Sequence, residues 1–100
     1  MNPLDNLRAR VEVFLELNGE TILDPRLARV LEEVERRGSL LSACRAVGAP
    51  YSRTWERITW MERLLGARVL EARRGGVGGG GARLTRLGKL LLQRYREASR

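Results

Sequence analysis

The chain has 100 residues, 43% of them hydrophobic but only 5% aromatic, which suits one small globular domain with an aliphatic core rather than a disordered chain. A single Cys and no His leave no partner for an intrachain disulfide, no Cys/His metal set and no imidazole for acid/base work. Nineteen Lys and Arg against twelve Asp and Glu give a net charge of +7, while no apolar run approaches the ~20 residues of a membrane span and MNPLDNLR has no apolar signal region, so a cytoplasmic protein without a membrane partner is expected.

From the N-terminus, Val11 to Leu17 alternates apolar and polar residues and reads as a strand. Asn18-Gly19 is the pair best suited to a two-residue type I′ turn, and Glu20 to Leu23 should return as the second strand, with Leu15 facing Ile22. Such a ribbon needs a helix or a partner subunit to cover its apolar side. Asp24 as N-cap and Pro25 at the first helical position open a helix whose buried stripe is Leu27, Val30, Leu31 and Val34. Gly38 ends it, and Ser39 caps the next.

Gly38 to Gly66 predicts a helix, a tight turn and a second helix. Leu40, Ala43, Cys44 and Val47 recur at helical intervals and are small enough for close crossing. Cys44 is then buried filler. Gly48 permits the turn, and Pro50 discourages continuation of the first helix. Thr54, Ile58, Met61 and Leu65 form one apolar stripe on the second helix. Its outward positions begin with Ser52, Arg53, Glu56 and Arg57, hydrogen-bonding side chains gathered where a recognition helix touches base edges.

Beyond Gly66, Arg68 to Arg73 reads as a strand and Ala82 to Leu84 as its antiparallel partner, with six glycines among residues 75–81 between them. Thr85 should cap a last helix with an apolar face of Leu87, Leu90, Leu91, Tyr95 and Ala98. The fold class is thus mainly α with small β-hairpins, a winged helix-turn-helix in the order β-β-α-α-α-β-β-α. One domain spans residues 1–100, with the helix-turn-helix at 39–65, the wing at 68–84 and the C-terminal helix at 86–98.

Charge follows this division. Residues 1–38 carry six Arg against eight acidic residues, a net of −2, whereas residues 39–100 carry thirteen Arg and Lys against four acidic residues, a net of +9. The basic half is the one that would face a polyanion. The glycine loop does not fit a nucleotide-binding P-loop, because Gly81 is followed by Ala82-Arg83 and a strand rather than by Lys and a helix. Glycine instead lets main-chain amides approach a sugar-phosphate backbone or a minor groove, with Arg73, Arg74 and Arg83 supplying cations. No catalytic residue, cofactor or metal is assigned, and an enzyme is not expected.

The segment Gly38-Ser39-Leu40 through Gly48, with Tyr51, Trp55, Ile58 and Met61, resembles the N-terminal DNA-binding domain of molybdate-responsive ModE-type transcriptional regulators. Glu71 to Gly88, with its glycines and the LTxxG of Leu84, Thr85 and Gly88, looks like that family's wing, and Asp24-Pro25-Arg26 resembles the start of its first helix. The helix-turn-helix alone also suits the LysR type; the glycine wing distinguishes the two. The resemblance covers residues 10 to 98.

It implies a homodimer on a palindromic double-stranded DNA operator, with the helix from Tyr51 in the major groove. The DNA-facing set is Tyr51, Ser52, Arg53, Glu56 and Arg57 on that helix, with Ser39, Arg73, Arg74, Gly76, Gly79 and Arg83 along the wing and backbone. Trp55 lies one step off the apolar stripe and is expected to buttress the helix rather than touch DNA. Typical members continue into a molybdate-binding domain, whereas this sequence stops at Arg100, so no oxyanion site is assigned. Sensing by a separate protein, control through expression level and response to another signal remain the alternatives. The expected function is a sequence-specific transcriptional regulator tied to molybdate or molybdenum-cofactor genes. A non-specific architectural DNA-binding protein and a winged-helix interaction adaptor are the other readings.

Overall fold

The computed structural model describes residues 1–73 and 81–100. A 3-10 turn at Pro3–Asn6 is followed by β1 (Leu15–Leu17), β2 (Glu20–Leu23), α1 (Pro25–Arg37), α2 (Leu40–Val47), α3 (Tyr51–Leu65), β3 (Leu70–Arg73), β4 (Gly81–Leu84) and α4 (Arg86–Ala98). Strands β1–β2 and β3–β4 make two separate antiparallel sheets. The molecule is a mainly α, winged-helix-like fold with two small hairpins.

Caps set the helix boundaries. Asp24 Oδ1 accepts the Leu27 N–H at 2.8 Å, the Ser39 hydroxyl accepts that of Ser42 at 3.2 Å, and the Thr85 hydroxyl accepts that of Gly88 at 3.1 Å. Gly38, Gly48 and Gly66 end α1, α2 and α3 in the left-handed conformation, with φ of 72°, 78° and 71°. Inside these bounds the apolar stripes of α1 and of α3 turn inward as expected, and Cys44 is buried. Leu23, Leu31, Met61, Val69 and Leu92 are fully covered at the centre of one continuous core.

Three details differ from the sequence expectations. The first strand begins at Leu15, not Val11. Its partner must end at Leu23 because Asp24 already caps α1, so residues 11–14 have no strand to pair with. Val13, Leu15 and Leu17 pack partly against the chain's own core.

The hairpin register also shifts. Leu17 faces Glu20 and Glu16 faces Thr21, but Leu15 faces Leu23 rather than Ile22. The irregularity breaks the inside–outside alternation and lets consecutive residues, Ile22 at 5% exposure and Leu23 at 0%, both enter the core.

The inner face of α4 is Gly88, Leu91, Leu92 and Tyr95, while Leu90 is half exposed. Gly88 sets that phase. An added Cβ there would overlap the Val69 carbonyl oxygen, so the helix approaches the start of β3 backbone to backbone.

Candidate nucleic-acid interface

An α-helix advances about 100° per residue, so the buried Thr54, Ile58 and Met61 determine where every other residue of α3 points. Ser52 and Glu56 lie opposite the core and are exposed. Arg53 and Arg57 fall on the flank towards α1, and Tyr51 and Trp55 on the flank towards the wing. The Thr54 hydroxyl donates to the Pro50 carbonyl at 2.7 Å, and no side chain caps the first turn.

The α1 flank is braced. An Arg57 guanidinium N–H donates to Asp24 Oδ2, and Arg26 donates to the Gly48 carbonyl, so the first turn of α1 holds both the helix-turn-helix corner and α3. Burial pushes the Asp24 carboxyl up, but the Leu27 amide and the Arg57 guanidinium outweigh it and hold the group below its ordinary value. Arg57 is half-buried, and part of its donor fork is committed inside the protein. Arg53 is exposed and lines a small cleft with Arg26, Pro50 and Arg57.

The wing flank is braced at the other end of α3. Glu62 Oε2 accepts the Val69 N–H at 2.7 Å, the Leu70 N–H at 3.2 Å and Arg68 Nε at 3.1 Å. One carboxylate thus joins the last turns of α3 to the base of β3. Leu70 pairs with Leu84, Glu71 with Arg83, Ala72 with Ala82 and Arg73 with Gly81. The Ala82 N–H donates to the Gly38 carbonyl and the Thr85 N–H to the Val69 carbonyl, each at 2.9 Å, and the Thr85 hydroxyl donates to the Arg68 carbonyl at 2.7 Å. The Leu84, Thr85 and Gly88 of the LTxxG segment therefore close the wing's base onto α4.

Among the expected wing residues, Arg83 is exposed with its Nε donating to Glu71 Oε1 at 2.7 Å. Arg73 is exposed and lies against Gly38, where an added Cβ would strike its guanidinium. Arg74, Gly76 and Gly79 lie outside the described residues. Ser39, half-buried as the cap of α2, shares a groove of about 620 Å³ with Leu41, Tyr51, Trp55 and the wing residues Glu71, Ala72 and Ala82. The structure therefore brings Tyr51, Ser39 and the wing to one groove, Ser52 and Glu56 to the outer face, and Arg53 and Arg57 to the opposite flank.

Trp55 does not buttress the helix: it is 53% exposed and forms a wall of that groove. Its step off the stripe places the indole between core and solvent, open to the groove. Glu62 escaped the sequence reading, although a signal was present. A carboxylate near a helix C-terminus opposes the macrodipole, and so calls for a specific donor set.

No family model matches the chain. It is 34% identical over 89 residues to the transcriptional regulator ModE of Yersinia pestis, covering 89% of this chain and 34% of that protein. The DNA-binding transcriptional dual regulator ModE of Escherichia coli K12 matches with the same identity and the same coverage, 34% over 89 residues. The molybdenum-pterin-binding protein MopB of Rhodobacter capsulatus is 38% identical over 91 residues, 91% of this chain and 33% of that protein. The chain thus spans about one third of the length of the curated relatives it matches. These matches fit a ModE-type regulator. Among the described residues, no helix is long and apolar enough to cross a membrane.

Proposed function

We propose that the chain is a sequence-specific double-stranded DNA-binding module of a transcriptional regulator, tied to molybdate transport or molybdenum-cofactor genes. The observation that carries this reading is the double bracing of α3. Asp24 holds one flank and Glu62 ties its far end to the wing, leaving Ser52, Arg53 and Glu56 exposed on a helix of set orientation. Preorganised side chains of this kind suit base-edge recognition better than charge attraction alone. The net +9 of residues 39–100 adds the sequence-independent phosphate attraction. The names of the relatives support the link to molybdenum.

In this reading α3 enters the major groove, with Tyr51, Ser52, Arg53 and Glu56 at or near bases and part of the Arg57 fork facing the same strand. Ser39, Arg73, Arg74, Gly76, Gly79 and Arg83 follow the backbone. A homodimer would set two such helices about 34–36 Å apart, one turn of DNA, on a palindromic operator. The test is selection of genomic fragments by the purified chain at roughly 0.15 M salt, where phosphate-only binding weakens. Enrichment of a palindrome upstream of molybdenum-related genes is expected. A palindrome elsewhere would discard the molybdenum link, and equal retention of all fragments would replace sequence reading with architectural binding.

A further inference from the structure

Leu41, Tyr51 and Trp55 are 44%, 46% and 53% exposed, and all three line the groove between α3 and the wing. Large apolar side chains clustered on the surface of so small a chain indicate a contact surface. Tyr51 and Trp55 are one helical turn apart, so their rings stand side by side on the wing-ward flank.

The charge around them narrows the occupant. Both carboxylates lining the groove are engaged, Glu62 by two backbone amides and Arg68, and Glu71 by Arg83. Neither presents bare negative charge to an incoming polyanion. The groove also lies in the half of the chain with a net +9, and Arg68 lines it beside Glu62. A nucleic-acid strand complements that field. Major-groove base edges are hydrogen-bonding groups with one apolar exception, the C5 methyl of thymine. Two exposed aromatic rings beside a polar recognition face match that exception.

We infer that the groove receives one DNA strand and that Tyr51 and Trp55 pack against a thymine methyl, determining specificity beside the polar readers on α3. This rests on the proposed function and adds an apolar subsite to it. The test uses the whole chain and the operator it selects, with each thymine replaced in turn by deoxyuridine, which removes only the methyl. At one thymine per half-site, affinity should fall about fourfold, the effect of one methyl-sized group returning to water.

Trp55→Ala should bind the thymine and deoxyuridine duplexes alike at that position while still preferring the operator. The site is exposed and Ala favours helix, so misfolding does not imitate this result. Indifference to every thymine methyl would overturn the inference and leave the regulator intact. A methyl effect that persists unchanged in both Trp55→Ala and Tyr51→Ala would assign the reading to other residues and overturn it equally. Failure to select any operator would remove the function and the subsite together.

Discussion

The hairpin β1–β2 closes on Asn18 and Gly19, both at positive φ (52° and 84°), whereas β3–β4 is pinned at its base by the Gly38 and Val69 carbonyls, Thr85 and the Glu62 carboxylate. The first is a local decision, since two residues impose the reversal and the strands follow the twist of a type I′ turn. The second is a tertiary decision, made by α1, α3 and α4 together. A turn-directed hairpin is set by its tip. A base-directed hairpin is set where its strands meet the helices.

The sharpest way to break the base-directed hairpin is Gly88→Ala. Helix propensity alone predicts a gain of about 1 kcal/mol. The overlap with the Val69 carbonyl predicts instead a loss of about 3 kcal/mol, and a fall in Tm on the order of 15 °C by thermal unfolding. A stabilised variant would show that α4 and β3 do not approach so closely.

Glu62→Ala should cost about 2 kcal/mol by leaving two partly buried amides without their acceptor. Hydrogen exchange locates the damage: the Val69 and Leu70 amides should lose protection while those of β1–β2 keep theirs. Equal loss in both hairpins would mean that they are not independently held.

Gly19→Ala tests the turn-directed hairpin. Nothing lies within 4 Å of an added Cβ, so the expected loss of about 1 kcal/mol is conformational alone. The wing amides should remain protected.

The smallest effect belongs to Asp24→Asn, at the point where β2 passes into α1. The folded carboxyl titrates below its ordinary value of 3.8, so its contribution is complete above that pH and disappears as the pH falls through the folded value. The variant keeps an N-cap acceptor, and the pair with Arg57 is partly exposed. Denaturant melts should therefore differ by less than about 1 kcal/mol at pH 7 and converge in acid. A difference that stays constant with pH would assign the effect to the cap rather than to charge.

Much of this architecture was legible because it is written in residues with one local meaning. Asp24-Pro25, Ser39 and Thr85 start helices, and Gly38, Gly48 and Gly66 end them. Where several local meanings coexist, tertiary packing decided. Leu90-Leu91-Leu92 supplies an apolar residue at any helical phase, and the close approach at Gly88 chose Leu91 and Leu92. Ile22-Leu23 could alternate or bulge, and the core took both. Of the candidate site, the polar outer face of α3 follows from its stripe. The Asp24–Arg57 and Glu62–Val69 links join residues 33 and 7 positions apart, and periodicity carries no information about such pairs.

The carboxylate shared by α3 and β3 also limits how the two can move. Under the proposed function, helix and wing would meet a duplex as the jaws of a calliper with one span, since Glu62 ties the two together. A DNA sequence whose adjacent grooves already matched that span would then be gripped without distortion. One that did not would have to be bent or twisted into register, and its stiffness would be felt at base pairs that no side chain touches.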